Sequence, residues 1–290
     1  MNGGRQSKRK RFVFLLSGGI LLAAALIIAV TSGRAKQYRE AVKAENAGET
    51  AAAYGIYTEL GDYKDSPERK RALEASEPAL RFSSSAEGEI ICFGCFEQNG
   101  IAEDGTEELE WIVLDQRDGR VLLLSRYVIA CLPYNREDVD MTWEDCSLRG
   151  WLNEDFIGAA FQEADQALLL EVRNRNNGSP VFETEGGSDT SDRVFLLSAE
   201  EASAYFHEDD TRMLNGRAEP TYAAVLQGVS TTIEEETELL YAPWWLRGPG
   251  VYQDSAAFVE TDGTVYENGA ILDNENFCGV RPALWVRIMS

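Results

Sequence analysis

A long apolar run covers residues 12–31, twenty positions without a charged side chain, and it follows residues 1–11, which hold five basic residues and no acid. A helix of that length rises about 30 Å, the thickness of the hydrocarbon core of a bilayer. A cleaved signal peptide is the alternative, but its apolar region is shorter and ends at a small-residue cleavage site. The pattern therefore predicts a cytoplasmic tail over 1–11 and a transmembrane helix over 12–31, with the lipid bilayer as a partner.

Residues 35–76 are rich in Ala, Glu, Lys and Arg, a composition that favours helices. Gly48 and Gly61 divide this stretch, and Ser66-Pro67 provides the start of a third helix. The spacing of glycines and tyrosines resembles one tetratricopeptide-like hairpin, of the kind found beside membrane anchors in Gram-positive surface proteins. Because a solenoid surface needs about three or more repeats, we expect a spacer rather than a partner-binding stalk.

A linker over 77–88, rich in serine at its end, precedes the main domain, predicted over 89–290. Three β-favouring runs separated by turn dipeptides predict an antiparallel meander at its start. They are Ile90–Phe96, Leu109–Asp115 and Val121–Ser125.

The meander is followed by a predicted helical region over 146–172 and a long polar loop over 174–192. Val194–Leu197 is apolar and predicts a buried strand. Ser198 and Glu201 have the spacing of a capping box and predict the start of another helix. This succession is typical of an α+β domain rather than of repeated βαβ units.

Five motifs occur in the main domain in the order Glu110–Asp115, Thr142–Asn153, Phe195–Ser198, Trp244–Arg247 and Gly279–Trp285. Together they resemble the DUF6273 family, a domain of unknown function in bacterial surface proteins, over about Glu89 to Ile288. The closing strand also resembles C-type-lectin-like domains of the formylglycine-generating-enzyme kind. The resemblance implies a C-type-lectin-like α+β fold at the surface of a Gram-positive cell, and it implies no activity. The cysteine pair of the oxidase relatives has no counterpart here.

Charge excludes one class of partner. The chain has 49 acidic and 27 basic side chains and a net charge of −22, which would repel a phosphate backbone. No nucleic acid is therefore expected as a partner. Basic residues before the apolar run outnumber those just after it, so the N-terminus is placed in the cytoplasm. The predicted location is the cell membrane, single-pass, with an acidic extracellular domain.

Few side chains are candidates for metal or redox chemistry. Five cysteines are too few for a disulfide scaffold, and Cys92 and Cys95, three positions apart in a predicted strand, should face opposite sides. The single histidine, His207, excludes a multi-histidine site, and we expect it at a helix end. No metal site and no cofactor are predicted. Calcium binding is left as an alternative because Gly186–Asp192 and Asp273–Asn276 are rich in oxygen ligands.

A ligand-binding face is predicted at Trp244, Trp245 and Arg247, with Trp143 as a further contact. Adjacent tryptophans in a strand face opposite sides, so one can enter the core while the other offers a flat face beside Arg247. Replacing Trp245 or Arg247 with alanine should then remove binding without unfolding the domain. In the alternative, which the usual burial of tryptophan favours, both indoles lie in the core and Arg247 forms an ion pair over them.

Other motif residues are predicted to be structural. One group comprises Trp111, Trp151, Asn153 and Arg281, with the arginine paired to a carboxylate or to carbonyls. A second group of apolar residues is assigned to the core: Trp111, Leu114, Phe195, Leu197, Val280 and Leu284.

These observations favour a membrane-anchored extracellular recognition domain without catalytic activity, which binds a glycan, a cell-wall component or a surface protein. An enzyme is the alternative, either of the formylglycine-generating-enzyme-like fold group or a hydrolase, because 49 acids make paired carboxylates plentiful. A structural display scaffold is the second alternative. A pocket that combines aromatic platforms with hydrogen-bonding groups would favour recognition.

Overall fold

The computed structural model describes residues 33–83, 85–179, 181–206 and 216–288. Within these ranges no helix is both long enough and apolar enough to cross a membrane. This finding corrects the predicted fold class and the predicted single-pass location, since the described chain is a mixture of helices and strands in which only short helices precede the sheets. The predicted tail and transmembrane segment, residues 1–11 and 12–31, lie outside the described residues.

The chain divides into two compact units, one up to Leu80 and one from Arg81 onward. The first unit contains three helices, over residues 33–46 (α1), Thr50–Leu60 (α2) and Ser66–Ser76 (α3). A 3-10 helix follows over Pro78–Phe82. Helix α3 begins at the predicted Ser66-Pro67 and ends at Ser76.

The three helices pack through aromatic and aliphatic side chains. Their shared core includes Ala41, Tyr54, Tyr57, Leu60, Leu73 and Leu80. The Tyr57 hydroxyl donates to Glu45 at 2.7 Å, and Arg69 forms an ion pair with the same carboxylate at 2.8 Å. The unit therefore has a core of its own.

The second unit is built mainly of strands. In chain order they are Ile90–Phe96 (β1), Glu107–Arg117 (β2), Arg120–Ser125 (β3), Ala130–Cys131 (β4), Val172–Asn174 (β5), Thr190–Asp192 (β6), Val194–Phe195 (β7), Thr232–Ile233 (β8), Leu240–Tyr241 (β9), Trp244–Pro249 (β10), Ser255–Val259 (β11), Val265–Ile271 (β12), Gly279–Val280 (β13) and Ala283–Arg287 (β14).

Its helices are short. They are Ser147–Trp151 (α4), Ile157–Ala160 (α5), Glu163–Gln166 (α6), Ala199–Tyr205 (α7) and Tyr222–Leu226 (α8), with a π-helical turn over Leu152–Phe156 between α4 and α5. The predicted helical region over 146–172 therefore ends earlier, at Gln166. Helix α7 begins with the predicted capping box, in which Ser198 and Glu201 bond each other's backbone amides.

The strands form two five-stranded sheets and two small hairpins. The first sheet has the order β1-β2-β3-β14-β7 and is antiparallel throughout, and it contains the predicted meander. The second has the order β12-β11-β10-β13-β4, in which only the β10–β13 pair is parallel. The small pairs are β5–β6, which brackets the predicted polar loop, and β8–β9.

The two sheets are joined at the segment between β13 and β14, where Arg281 is fully buried. Its Nε donates to the Ser125 carbonyl at 2.9 Å and its Nη1 to the Gly216 carbonyl at 3.3 Å. The guanidinium also lies 4.9 Å from the centre of the Trp244 ring. Burial lowers the pKa of Arg281 to about 9, so the group stays protonated at neutral pH. The predicted pairing with carbonyls is confirmed.

One large apolar core lies beneath both sheets. All six residues assigned to it from their motifs are buried: Trp111, Leu114, Phe195, Leu197, Val280 and Leu284. Those predictions are confirmed because each residue lies on a strand, or directly after one, that is covered by another layer.

The prediction for Cys92 and Cys95 is wrong. A bulge interrupts β1 at Gly94, whose φ is 74°, so that Cys92 pairs with Glu110 and Cys95 with Glu108. Glu108 and Glu110 are two residues apart on β2 and therefore point to the same face of the sheet. The two thiols paired with them lie on that face as well. Burial and the nearby Glu108 carboxylate raise the pKa of both thiols, which disfavours the reactive thiolate.

Candidate functional site

A cleft of about 600 Å³ opens in the second unit, within the volume range of small-molecule sites. We call it the polar cleft. Three segments line it: β5 with the residues after it (Arg173–Ser179), the start of α7 (Ser198–Ser203) and the end of β10 (Arg247–Pro249). Ala257 and Glu267 complete the wall, and no aromatic side chain among the described residues lines it.

Arg247 holds the three segments together. It forms a bidentate ion pair with Glu201 of α7, with oxygens 2.5 and 2.9 Å from Nη1 and Nη2. The same nitrogens donate to the carbonyls of Leu196 at 2.7 Å and Arg175 at 3.3 Å. Because only 3% of its side chain is exposed, Arg247 lies at the base of the cleft and has a structural role there.

The capping box of α7 explains why Glu201 meets Arg247. The Ser198 amide donates to one Glu201 oxygen at 2.9 Å, and the Glu201 amide donates to the Ser198 hydroxyl at 3.1 Å. These two bonds fix the Glu201 carboxylate, which the guanidinium then approaches from β10. A motif visible in the sequence therefore positions one wall of the cleft.

The structure corrects the predicted tryptophan platform and agrees with the alternative, in which both indoles lie in the core and Arg247 forms an ion pair. Trp244 and Trp245 have no exposed surface, and their indole nitrogens donate to the carbonyls of Gly216 at 2.9 Å and Leu132 at 3.0 Å. The strand does alternate, but both of its faces are covered. Aromatic rings pack on each tryptophan: Phe206 on Trp244 and Tyr134 on Trp245.

Trp143, the remaining predicted ligand contact, is also buried. Its Nε1 donates to the Asp192 carboxylate at 3.1 Å. The same carboxylate accepts from Arg149 Nε at 2.6 Å, Asn174 Nδ2 at 2.9 Å and the Thr190 hydroxyl at 2.7 Å. Asp192 is thus a buried hub that joins α4, β5 and β6, and Trp143 belongs to that hub rather than to a binding surface.

Three of the residues that were predicted to be structural, Trp111, Trp151 and Asn153, also contact other parts of the fold. Trp111 Nε1 donates to the Phe93 carbonyl at 2.7 Å. Trp151 meets Phe96 edge-on at 6.3 Å. Asn153 bonds the backbone of β7 in both directions, donating to the Val194 carbonyl at 2.8 Å and accepting from the Val194 amide at 3.2 Å. His207, expected at a helix end, lies outside the described residues.

Sequence reasoning missed the exposed polar residues of the cleft. Over residues 173–177 burial alternates, with Asn174 and Asn176 buried and Arg173, Arg175 and Asn177 exposed. This period of two is the strand signal that could have revealed them. The Arg175 guanidinium makes no hydrogen bond or ion pair with any residue that the structure describes. The Asn177 amide contacts Glu200 at 3.2 Å.

A second depression of about 490 Å³ shares Arg173, Asn174 and Glu201 with the polar cleft. We call it the arginine pocket. Arg117 and Arg120 both lie over the Trp285 ring, 5.2 and 4.6 Å from its centre. The remaining lining residues are Leu122, Glu171, Val172, Phe195 and Tyr205. Together the two depressions combine hydrogen-bonding groups with aromatic side chains, although Trp285 itself is 7% exposed.

The Tyr205 hydroxyl in the arginine pocket donates to Asp115 at 3.2 Å. Burial and the Asp115 carboxylate raise the pKa of Tyr205 to about 12, so it stays a neutral hydrogen-bonding group. No group of three histidine, cysteine or acidic side chains among the described residues is arranged to hold a metal ion.

Comparison with known proteins places the larger part of the chain in a family. The family described as "Domain of unknown function (DUF6273)" matches residues 118–288. This range contains the second sheet, strands β3, β7 and β14 of the first sheet, and the lining residues of both depressions except Arg117. The match does not extend to residues 35–76, so their resemblance to tetratricopeptide hairpins is unsupported. No curated protein and no solved structure matches the chain. Because the match spans more than half of the sequence, the chain belongs to the DUF6273 family.

Proposed function

We propose that the second unit is a recognition domain without catalytic activity and that it binds an oligosaccharide in the polar cleft. The observation that carries the proposal is the set of polar groups that line the cleft. The walls present an amide at Asn177, hydroxyls at Ser179 and Ser203, a guanidinium at Arg175 and a carboxylate at Glu267. Sugar hydroxyls both donate and accept hydrogen bonds, and this set supplies partners of both kinds.

The apolar side chains of the cleft favour an oligosaccharide over a peptide. Among the residues that the structure describes, the apolar lining is limited to small side chains such as those of Ala199, Pro249 and Ala257. A peptide would need deeper apolar pockets for its side chains. The sequence leaves a glycan, a cell-wall component and a surface protein open as ligands, and these walls favour a glycan. Retention of a surface protein instead would contradict the proposal.

Several polar side chains of the cleft are already bound to partners within the protein, which argues against catalysis. Glu201 is held by Arg247, Glu200 receives the Asn177 amide, and the Ser198 hydroxyl caps α7. No cysteine or histidine lines the cleft among the described residues. A nucleophile with an adjacent base, which covalent catalysis requires, is therefore not assembled at this place. A pure display scaffold would need no such cleft.

The test is binding of the full chain to an array of neutral and charged oligosaccharides, followed by calorimetric titration of the glycan retained. Asn177→Ala should weaken binding about fivefold, since one hydrogen bond contributes roughly 1 kcal/mol. Asn274→Ala removes an exposed amide outside both depressions and should change nothing. An array that retains no glycan, or equal affinities for the two variants, would reject the polar cleft as the binding site.

A further inference from the structure

Three arginines stand side by side at one end of the first sheet. The register pairs Arg117 of β2 with Arg120 of β3, and Arg120 with Arg287 of β14. Residues directly opposite each other on neighbouring antiparallel strands point to the same face, with Cβ atoms about 4.5–5.5 Å apart. We call these three residues the arginine row.

A row of like charges is unfavourable unless anions offset it. Within the described residues, the row has one carboxylate partner, Asp115, which lies 3.3 Å from Arg117. Arg120 and Arg287 form no ion pair there. Such a row is unexpected in a chain with 49 acids and 27 bases, where acidic partners are plentiful.

The Arg120 guanidinium is nevertheless fixed in place. It stacks on Trp285 at 4.6 Å, and its Nε is buried without a hydrogen-bond partner among the described residues. Stacking sets the plane of the guanidinium while leaving its remaining donors unused. An oriented guanidinium with free donors suits the planar, bidentate recognition of a carboxylate or of another oxyanion.

The pocket beside the row places this guanidinium next to the polar cleft. Arg117 and Arg120 line the arginine pocket together with Arg173, whose own partner is Asp189 at 3.0 Å. Arg173 also lines the polar cleft, so the two depressions are adjacent. A ligand lying in the cleft can therefore extend a substituent toward Arg120.

We propose that the arginine pocket binds an anionic substituent of the ligand, so that the domain selects acidic over neutral glycans. This inference rests on the proposed oligosaccharide function. The anionic group is a carboxylate, a sulfate or a phosphate carried by a sugar. Arg120 supplies the paired donors, Arg117 and Arg287 add positive charge, and the polar cleft holds the neighbouring hydroxyls.

The experiment measures binding of the full chain to one glycan backbone in four forms: neutral, carboxylated, sulfated and phosphorylated. We expect at least about tenfold tighter binding of one anionic form at low salt, and a smaller difference at about 1 M salt, where charges are screened beyond roughly 3 Å. Arg120→Gln should abolish the preference, and Arg120→Lys should keep part of it. Arg136→Gln, the same change at an exposed arginine outside both depressions, should leave the preference intact.

Separate outcomes distinguish this inference from the proposed function. Equal binding of neutral and anionic forms, with no effect of Arg120→Gln, would overturn the anion pocket and leave the glycan function standing. If no glycan binds, free glucuronate, sulfate and inorganic phosphate are compared with chloride at equal ionic strength in a thermal melt. Stabilisation of the native chain but not of Arg120→Gln would then support the pocket alone, and no stabilisation of either would overturn both. The melting temperatures of the variants without ligand show that they are folded.

Discussion

Among single residues, Asp192 carries the most concentrated set of contacts. Four side chains donate to its buried carboxylate, from Trp143, Arg149, Asn174 and Thr190. Asp192→Asn keeps the shape but removes the charge and presents a donor to groups that also donate. We expect a loss of about 3–5 kcal/mol in the free energy of unfolding, measured by urea denaturation.

The matched control is Asp189→Asn. Asp189 forms an ion pair with Arg173, whose side chain is 77% exposed. Exposed pairs contribute about 0–1 kcal/mol, so this variant should unfold near the wild-type midpoint. Similar midpoints for the two variants would show that Asp192 is not a structural hub.

Ionisation of the buried Cys146 thiol should make the stability of the protein depend on pH. Burial raises the pKa of Cys146 from 9.0 to about 12 in the folded protein. The folded state therefore keeps a proton that the unfolded state loses. This contribution to stability is fully present below about pH 9 and is lost as the pH rises toward 12.

Urea denaturation at several pH values between 8 and 11 checks this expectation. Cys146→Ser keeps a side chain able to cap α4 and removes the thiol, so the decline in stability should become shallower. Cys92→Ser, at an exposed thiol, should leave most of the decline. Identical slopes in the native chain and in Cys146→Ser would contradict the assignment.

Trp244 and Trp245 show which properties of a single residue can be predicted from the sequence. Alternation along β10 correctly places Trp244 and Trp245 on opposite faces. Whether each face is covered depends on Phe206 and Tyr134, which come from distant parts of the chain. The period of a strand is local information, but the second layer that buries it is not. Burial of Arg281, whose partners are the Ser125 and Gly216 carbonyls, is non-local for the same reason.

At the scale of elements, the start of α7 couples a local motif to the cleft. Glu201→Gln weakens both the capping box and the ion pair with Arg247, whose side chain is 3% exposed. Because a buried guanidinium would lose its counter-charge, we expect a loss of about 2–3 kcal/mol in unfolding free energy. Glu200→Gln changes the adjacent, exposed carboxylate and should cost no more than about 0.5 kcal/mol. Calorimetric melts of the two variants make the comparison, and a reversed order of stability would contradict this account.

The bulge in β1 gives a second prediction for an element. A Cβ at Gly94 would lie 2.7 Å from the Ala160 carbonyl oxygen, and the φ of 74° is unfavourable for other residues. Gly94→Ala should therefore cost at least about 2 kcal/mol. Gly158→Ala, in α5, meets nothing within 4 Å and should stabilise the protein by about 0.4–1 kcal/mol. Thermal melts that fail to separate these two variants would show that the bulge is not required.

The capping box and the bulge differ in how visible they are in the sequence. Ser198 and Glu201 interact across three residues, so their spacing alone predicts the start of α7. Gly94 bends β1 because β2 continues its pairing on either side and Phe161 leaves no room beneath. The CFGC spacing contains no sign of that neighbour, and the inferred orientation of the cysteines was therefore wrong.

At the scale of the whole molecule, the second unit begins at Arg81, earlier than the predicted start of the main domain at residue 89. Phe82 lies in the predicted linker, yet it is fully buried in the large core and meets Phe93 edge-on at 5.2 Å. A fragment starting at Arg81 should therefore melt cooperatively by itself. A fragment starting at Glu89 lacks Phe82 and should be less stable by about 3–5 kcal/mol. Circular-dichroism melts of the two fragments decide the boundary, and equal midpoints would place it at the later residue.

The architecture was predictable at a coarser level than the site. Alternating runs and turn dipeptides predict the meander, and the ordered motifs indicate the family that residues 118–288 match. The order of strands in the two sheets, and hence the place where β5, α7 and β10 meet, depends on pairings between remote segments. The arginine row has this origin as well, because Arg287 joins Arg117 and Arg120 only through the register of β14.

The position of the last two strands has a consequence for biosynthesis. β13 lies between β10 and β4 in one sheet, and β14 lies between β3 and β7 in the other. A nascent chain leaving the ribosome therefore cannot close either sheet until Gly279–Arg287 have emerged, so folding of this unit waits for its last two strands. A premature stop codon ahead of Gly279 would leave two sheets with a gap and four strand edges exposed, a species expected to be cleared by proteases or to aggregate.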